Sequence, residues 1–320
     1  MKLLSYDDRD GMRRVGVLHR DRGDHDEHGD HGDRVTDVED LILGATMPAE
    51  RAERLQARGI VPASGGMLRW LQMGAPVRAS IAAAIRDRLT SGGHSSMPLS
   101  TLRLRAPVAR PGKIVAVGRN YADHAKETGL APFEQPRIIA KLPSSVTDPG
   151  TVVLKPAAVQ KMDFEAELAV VIGEFAHDVS EHDALHFVAG YTALNDLSAR
   201  EFQFDVSPAQ TTFAKSMDGF CPLGPVLVCA EAIADPQQLR VRSWVNDVLM
   251  QDASTADMLF TVRVLIAYLT QFMTLEPGDI IATGTPAGIG AFRTPPQWLQ
   301  AGDRVRVEVS QIGVLETVIG

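Results

Sequence analysis

Two glutamates, Glu165 and Glu167, lie one residue apart in a segment, 164–172, that is otherwise apolar. If that segment is a β-strand, its side chains alternate between two faces and both carboxylates share one face. An edge strand with a solvated polar face would explain such a pair by itself. A third acid, Asp196, follows another strand-like run, 191–194, and strand ends are where loops commonly build sites.

Three carboxylates in one apolar region would repel each other strongly unless a cation neutralised them. A ligand set made only of oxygen atoms, without His or Cys, suits a hard ion such as Mg²⁺ or Mn²⁺, with Ca²⁺ as a further candidate. The sequence therefore predicts a divalent metal site at Glu165, Glu167 and Asp196. Its open coordination positions would accept water and the oxygen atoms of a substrate.

A second group of residues that could do chemistry lies in the segment 118–129, GRNYADHAKETG. A short helix capped by Asn120 or Asp123 places His124 and Glu127 three residues apart on one face. A histidine that is oriented by a carboxylate can act as a general base toward water. The spacing alone is also compatible with an ordinary solvent-exposed ion pair.

Three other motifs carry less chemistry. Lys215 follows a β-like run and, taken alone, is best interpreted as a surface residue. The glycine-rich turn at 283–290 lacks the pattern of a P-loop or a dinucleotide site, but its backbone N–H groups could hold a carboxylate. His182 and His186 have the i, i+4 spacing of a zinc-protease helix without its glutamate, so a solvated helix face is expected.

The composition limits the class of protein. The chain has 320 residues, 45% of them apolar, which is enough for a large core. Asp and Glu number 40 against 32 Lys and Arg, which disfavours nucleic acid or an anionic membrane as a partner. Two cysteines, Cys221 and Cys229, are too few for a disulfide framework. With no signal-peptide pattern and no apolar run of membrane-spanning length, we expect a soluble cytoplasmic protein.

Residues 1–105 are expected to form a small N-terminal α+β accessory domain. Its strand-like runs lie at 2–6 and 14–18, and its helical patterns at 37–43, 49–58 and 77–89. Between them, the charged segment 19–34 carries four histidines that could bind a soft metal weakly, although a solvated loop is the preferred interpretation. Those histidines are His19, His25, His28 and His31. Pro and Gly residues at 106–112 place the domain boundary near residue 105.

Residues 106–320 are rich in strand patterns and poor in helical ones. The expected strands are at 113–117, 137–140, 151–154, 164–172, 190–194, 224–229, 239–245, 279–283 and 303–319. Two long helical patterns interrupt them, at 180–189 with Ser180 as cap and at 254–272 with Ser254 or Thr255 as cap. Strands without regular helical crossovers predict an α+β, mostly β domain with its helices packed outside.

Six segments, in this order and spacing, resemble the fumarylacetoacetate hydrolase family, in the longer bacterial form that has an N-terminal cap domain. They are GRNYADHAKETG, KLPSSVTDPG, MDFEAELAVVIG, GYTALNDLSAR, FAKSMDGFCPLGP and IATGTPAGIG. The likeness covers residues 106–320, and a series of six motifs is far more specific than any one of them. It implies a mixed β-roll for this region and a homodimeric assembly.

The resemblance also implies roles for individual residues. Glu165, Glu167 and Asp196 match the family's Mg²⁺ or Mn²⁺ ligands, while His124 and Glu127 match a pair on a lid that orders over the substrate. Lys215 matches the active-site lysine. Five more positions match residues that line or bind in the family's pocket, namely Arg119, Tyr121, Lys141, Gln203 and Thr285. The sequence departs from many members at Glu201, where they have Asp, and this side chain is not expected to be a ligand.

The implied activity is hydrolysis of a C–C bond in an acylpyruvate or fumarylacetoacetate-like β-diketo acid, as in the catabolism of aromatic compounds. Water activated by His124 and Glu127 would attack the distal carbonyl, Lys215 would stabilise the oxyanion, and the ion would stabilise the enolate leaving group. Decarboxylation of an oxaloacetate-like acid, or isomerisation of a 2-hydroxy-diene-dioate, uses the same site without water attack. A noncatalytic dicarboxylate-binding protein is the alternative from another class.

Overall fold

The computed structural model describes residues 1–20, 32–92, 94–127, 129 and 133–320. His25, His28 and His31 of the predicted loop lie outside those ranges. The strands of the described chain are β1 (Lys2–Asp7), β2 (Arg13–Arg20), β3 (Asp33–Asp37), β4 (Met97–Pro98), β5 (Arg103–Arg105), β6 (Ile114–Gly118), β7 (Arg137–Lys141), β8 (Val146–Thr147), β9 (Val152–Val153), β10 (Met162–Asp163), β11 (Ala166–Ile172), β12 (Val188–Asn195), β13 (Ser198–Ala199), β14 (Cys221–Cys229), β15 (Arg240–Val245), β16 (Val248–Ser254), β17 (Ile280–Ala282), β18 (Arg304–Val309) and β19 (Gly313–Ile319). The α-helices are α1 (Glu39–Gly44), α2 (Ala49–Ala57), α3 (Gly66–Gln72), α4 (Ala75–Ser91), α5 (Ala122–Glu127), α6 (Arg200–Phe204), α7 (Thr211–Lys215) and α8 (Val262–Thr270).

The strands form two large mixed sheets, so the mostly β, α+β prediction is confirmed. The first sheet has 12 strands, in the order β4-β3-β2-β1-β14-β12-β11-β17-β6-β7, with β5 beside β1 and β8 beside β14. The second has five strands, in the order β16-β15-β18-β19-β9, and β10 pairs separately with β13. Because β1 pairs with β14, the first sheet continues across residue 105. A separate accessory domain at 1–105 therefore stays a prediction. Its first strand, β1, belongs to the main sheet.

The central strand β11 is buried on both faces, which explains its continuous apolar run. Leu168 and Val170 enter a core that they share with residues of the five-stranded sheet, such as Val307. Ala169 and Val171, on the opposite face, enter a second core together with residues of α1, α3 and α4. This alternation follows directly from the twofold periodicity of a strand. The first sheet is thus the middle layer of the molecule.

The helix predicted at 180–189 is wrong, and the one predicted at 254–272 is confirmed only in part. Only one 3-10 turn, Ala184–Phe187, forms within 180–189, because Val188 already begins β12 and pairs with Ile172 of β11. The pattern at 254–272 is divided into a 3-10 turn capped by Ser254 and the helix α8 capped by Thr261. The residues between these two elements are extended because the backbone N–H of Leu259 donates to the carbonyl oxygen of Asn120. Long-range pairing overrides local helical preference in both segments.

No helix within the described ranges is long and apolar enough to cross a membrane.

Candidate active site

The three predicted carboxylates meet where β11 begins and β12 ends. Ala166 pairs with Asn195, and the backbone N–H of Asp196 donates to the carbonyl oxygen of Glu165 at 2.9 Å. One carboxylate oxygen from each of Glu165, Glu167 and Asp196 lies within 4.8 Å of the other two. Because these residues are only 7%, 1% and 1% exposed, a solvated edge strand does not explain the glutamate pair.

Three cationic side chains surround these acids. Lys215 Nζ lies 2.9 Å from Glu165 Oε2, 2.8 Å from Asp196 Oδ2 and 2.8 Å from Ser198 Oγ, which uses all three of its N–H groups. Lys141 Nζ donates to Asp196 Oδ1 at 2.8 Å and to the backbone carbonyl of Lys215. The interpretation of Lys215 as a surface residue is wrong, since it is 3% exposed and held by acids that are distant in sequence.

Arg200 completes the set and is itself held by a fourth buried acid. Its Nε donates to Asp163 Oδ2 at 2.9 Å and its Nη2 to Glu165 Oε1 at 2.7 Å. Its Nη1 donates to Gln203 Oε1 at 2.8 Å. The guanidinium thus donates to the amide oxygen of Gln203, and the amide N–H groups of that side chain have no acceptor among the described residues, so they are available to a ligand. We call this set of seven charged residues the acid cluster, which comprises Lys141, Asp163, Glu165, Glu167, Asp196, Arg200 and Lys215.

The donor set fits a hard divalent cation. The three candidate ligands offer only carboxylate oxygens, and the acid cluster contains four carboxyl groups against three cations. Burial strongly favours the neutral form of Glu167, and the charges of Asp196 and Glu165 act in the same direction, so its pKa lies well above the ordinary value. For Glu165, the same burial effect is outweighed by Lys215 and Arg200, which lower its pKa to about 2. The acid cluster thus contains one more carboxyl group than it has cationic side chains.

His124 and Glu127 lie on α5 as the spacing predicted, and the imidazole is buried. His124 Nδ1 lies 3.2 Å from Glu127 Oε2, and the other oxygen of Glu127 accepts the backbone N–H of Gly288 at 3.0 Å. The exposed ion pair is excluded because His124 is 6% exposed. With Nδ1 facing Glu127, the second ring nitrogen, Nε2, is the one available to a reactant.

The glycine-rich turn at 283–290 does hold carboxylates, but they belong to the protein. The backbone N–H of Gly284 donates to Glu167 Oε2 at 2.8 Å, and that of Gly290 donates to Asp163 Oδ1 at 2.8 Å. Together with the bond from Gly288 to Glu127, three acids of the site are fixed by one turn. Gly284 has φ +101°, and a Cβ there would lie 2.9 Å from the carbonyl oxygen of Val117, so this position requires glycine.

A cavity of about 280 Å³ opens beside the acid cluster. The predicted site residues that line it are Arg119, His124, Glu165, Asp196, Gln203, Lys215 and Thr285. Its apolar wall includes Val117, Ile139, Phe204, Ile289 and Phe292. The cavity therefore brings together a candidate base, two of the three candidate ligands and a carboxamide donor.

Four predicted site residues lie behind the wall of this cavity. They are Tyr121, Glu127, Lys141 and Glu167, which contact the lining from outside or hold its members in place. Tyr121 is 1% exposed, and its hydroxyl has no hydrogen-bond partner among the described residues. Burial, followed by the charge of Glu167, raises the pKa of that hydroxyl. Glu201 accepts the backbone N–H of Gln160 at 2.5 Å, so the departure at this position lies outside the acid cluster.

Thr285 lines the cavity, but its hydroxyl is already engaged. It donates to the carbonyl oxygen of Ala166 at 3.0 Å and accepts Gln251 Nε2 at 2.7 Å. Gln251 also accepts the backbone N–H of Ala166, between the two glutamates, at 3.0 Å. A side chain of the five-stranded sheet thus fixes both Thr285 and the start of β11.

Sequence reasoning missed Asp163, Ser198 and Gln251. Asp163 is two residues before Glu165, and Ser198 is two residues after Asp196. Each therefore lies at the same two-residue spacing that separates Glu165 from Glu167. That spacing was an available signal. Gln251 had none, because its side chain reaches the site only through the packing of one sheet on the other.

Comparison with known proteins shows what this chain is similar to. The model of the fumarylacetoacetate (FAA) hydrolase C-terminal domain matches residues 113–320. The oxaloacetate tautomerase FAHD2B, mitochondrial, of Bos taurus is 43% identical over 219 residues, which cover 68% of this chain and 70% of that protein. The solved structure of a putative HpcE protein from Mycobacterium smegmatis is 31% identical, with a TM-score of 0.77, and the match covers 100% of this chain and 99% of the other.

A third similar protein carries a metal and a ligand. The maleylpyruvate hydrolase of Sphingobium sp. SYK-6, solved in complex with manganese(II) ion and pyruvate, is 30% identical with a TM-score of 0.73. That match covers 100% of this chain and 98% of the other, so the likeness extends over the N-terminal residues as well. The chain belongs to the fumarylacetoacetate hydrolase family.

Proposed function

We propose that this enzyme interconverts the keto and enol forms of a 2-oxo dicarboxylic acid such as oxaloacetate, with a divalent cation at Glu165, Glu167 and Asp196. The observation that carries the proposal is the convergence of those three carboxylates within 4.8 Å beside a cavity that is also lined by His124. The tautomerase named among the similar proteins supports this reaction over hydrolysis. Decarboxylation and diene-dioate isomerisation are related outcomes at the same site.

A bound Mg²⁺ or Mn²⁺ would polarise the 2-oxo group of the substrate and stabilise negative charge that develops on its oxygen. The remaining chemistry belongs to the chain. Nε2 of His124 would remove a proton from C3 of the keto acid and deliver it to the 2-oxo oxygen to give the enol, or carry it back in the reverse direction, with Glu127 holding the ring by Nδ1. The free amide N–H groups of Gln203 would hold the substrate carboxylate. Apolar lining residues such as Ile289 and Phe292 would exclude water.

Hydrolysis of an acylpyruvate is the second candidate. It is favoured by the His124–Glu127 pair, which has the arrangement needed to activate a water molecule, and by the maleylpyruvate hydrolase among the similar structures. In that reaction Lys215 would have to release one of its three bonds before it could donate to an oxyanion. The tautomerase reaction needs no such rearrangement.

Three finer statements belong to the same proposal. They are the choice of Mg²⁺ or Mn²⁺ as the ion, the homodimeric assembly, and a location in the cytoplasm. Cys221 and Cys229 are both buried and free, which agrees with a reducing compartment.

The proposal can be tested with the protein stripped of metal by a chelator and then restored with Mg²⁺ or Mn²⁺. Enol absorbance would follow the tautomerisation of oxaloacetate, while proton NMR would follow its decarboxylation and the cleavage of a simple acylpyruvate. We expect metal-dependent tautomerisation that is lost in His124→Ala and kept in His182→Ala, a control at a histidine whose side chain is 90% exposed. Both variants should bind Mn²⁺ as the wild type does.

The outcomes separate the candidates. Cleavage of the acylpyruvate without tautomerisation would transfer the assignment to the hydrolase. Metal-dependent tautomerisation that survives in His124→Ala would remove His124 as the base and leave the metal site as the catalyst. No metal-dependent change in any of these substrates would contradict the proposed function.

A further inference from the structure

The inner face of β7 joins the acid cluster to the outer part of the cavity. Lys141, Ile139 and Arg137 alternate along this strand and therefore point to the same side. Lys141 reaches Asp196, whereas Ile139 and Arg137 line the cavity. The four residue steps from Lys141 to Arg137 span roughly 13 Å of extended chain, at about 3.3 Å per step. The cavity thus extends from an acidic end, past an apolar wall, to an arginine.

A second arginine joins Arg137 at this outer end. Gly118 pairs with Arg137 across β6 and β7, and Arg119 directly follows Gly118. The guanidinium carbon of Arg119 lies 3.8 Å from the ring centre of Phe133, and that of Arg137 lies 5.8 Å from the same ring. A Cβ on Gly118 would lie 3.2 Å from Cδ1 of Ile139 and 3.4 Å from Cδ of Arg137, so glycine leaves room for these two side chains along the wall.

The two guanidinium groups share one aromatic ring and have no carboxylate partner in the described part of the chain. Nε and Nη1 of Arg119 are buried without a hydrogen-bond partner there. Arg119 also has φ +53°, a left-handed conformation that a residue with a side chain seldom adopts. Buried N–H groups without acceptors are costly, and guanidinium groups bind carboxylates in a matching planar geometry. The arrangement is one that an anionic ligand would complete.

We propose that Arg119 and Arg137 bind the far carboxylate of an extended substrate whose 2-oxo acid end lies at the acid cluster. The substrate class is then a 2-oxo dicarboxylic acid with several carbons between the two ends, longer than oxaloacetate. The apolar wall around Ile139 suits the hydrocarbon part of such a molecule. This inference rests on the proposed function for the position of the 2-oxo acid end, and adds the residues that select the other end.

Calorimetric titration of the Mn²⁺-loaded enzyme with matched ligands tests this. The series 2-oxoglutarate, 2-oxoadipate and 2-oxopimelate is compared with monocarboxylic 2-oxo acids of the same chain lengths. The far carboxylate should strengthen binding by about tenfold or more at six or seven carbons, the effect of hydrogen bonds to a charged group, and by less at five. Arg119→Gln and Arg137→Gln should lose this advantage and bind the monocarboxylic acids as the wild type does.

Arg110→Gln is the matched control, because this exposed arginine lies outside the cavity lining and its replacement changes the net charge equally. Equal binding of mono- and dicarboxylic acids by the wild type would overturn the inference. So would an advantage that persists in both arginine variants, or one that Arg110→Gln also loses. If no 2-oxo acid of either kind binds, the proposed function fails, whereas binding without a dicarboxylate advantage overturns only the far carboxylate site.

Discussion

Two regions of the molecule gather charged side chains, and they differ in how those charges are balanced. The acid cluster has four carboxyl groups against three cations. The second region, which we call the N-terminal junction, consists of Glu174, Arg51 and Arg78. There, Glu174 accepts Arg51 Nη1 at 2.6 Å and Arg78 Nη2 at 3.0 Å, together with the backbone N–H of Ala75 at 2.6 Å.

The cations outnumber the acid at the N-terminal junction, but backbone carbonyl oxygens accept several of the other N–H groups. Arg51 donates to the carbonyls of Gln72 and Gly173, and Arg78 donates to those of Leu71 and Gly173. This arrangement joins α2, α3 and α4 to the end of β11. The acid cluster has an excess of acid and a cavity beside it. The contrast supports a structural role for the N-terminal junction and agrees with the cation site proposed at the acid cluster.

The largest effect is expected from Glu167→Gln. The amide keeps the size of the side chain and an oxygen for the N–H of Gly284, but it removes one of the three proposed anionic ligands. We expect Mn²⁺ affinity and oxaloacetate turnover to fall roughly a hundredfold or more, as measured by calorimetry and enol absorbance. The metal-free variant should unfold at the same urea concentration as the wild type or a higher one, because repulsion among the acids is reduced.

Glu174→Gln is the matched control at the N-terminal junction. It should leave Mn²⁺ affinity and turnover unchanged and lower only the free energy of unfolding. A Glu167→Gln protein that binds Mn²⁺ with wild-type affinity would remove this residue from the metal site. Loss of Mn²⁺ binding in both variants would show that the acid cluster and the N-terminal junction are coupled, which would contradict separate roles for them.

The next effect in size is a loss of folding stability in Arg78→Ala. Arg78 is 7% exposed, and its removal leaves Glu174 and two carbonyl oxygens with fewer donors. Urea unfolding should show a free energy of unfolding lower by about 1.5–3 kcal/mol, with Mn²⁺ affinity unchanged. The more exposed pair of Arg88 and Asp40, whose side chains are 29% and 60% exposed, provides the comparison, since Arg88→Ala should cost below about 1 kcal/mol. Equal losses in the two variants would contradict the structural importance of the N-terminal junction.

The sequence predicted those parts of the fold that local pattern determines. Strand β11 was recognisable because burial on both faces requires an unbroken apolar run, and β6 because Pro and Gly residues precede it. The failures occur at 180–189 and 254–272, where strand pairing with β11 and the contact with Asn120 decide the structure. Such contacts join residues far apart in the chain, and helical periodicity carries no information about them.

The site divides in the same way. Residue type and spacing were enough to bring Glu165 and Glu167 together, and to pair His124 with Glu127. The environment of Lys215 was not predictable from its neighbours, since its three acceptors come from two other segments. The occupied hydroxyl of Thr285 was equally hidden, because it depends on Gln251 from the second sheet.

The smallest predicted effect is a change in stability at Asp37, a carboxylate near the N-terminus whose charge is balanced by Arg14. Burial alone would raise its pKa, but hydrogen bonds from Arg14, whose Nε lies 2.5 Å from Oδ2, and from the Tyr6 hydroxyl lower it below the ordinary value. A carboxyl group with a lowered folded-state pKa stabilises the fold fully above its unfolded-state value, at about pH 4, and this contribution is lost as the pH falls through the folded-state value.

Asp37→Asn should therefore lower the free energy of unfolding at pH 7, by about 1 kcal/mol or less because the carboxylate is 27% exposed. The difference from wild type should shrink as the pH falls below about 4, because the wild-type carboxyl group then loses its charge as well. Urea unfolding from pH 7 to pH 3 measures both values, with the exposed Asp10→Asn as a control for net charge. A difference that stays constant across this range would mean that Asp37 stabilises the fold by shape and neutral hydrogen bonds. The charge of Asp37 would then contribute nothing to stability. Asp37 could no longer serve as an example of a balanced charge that stabilises the fold.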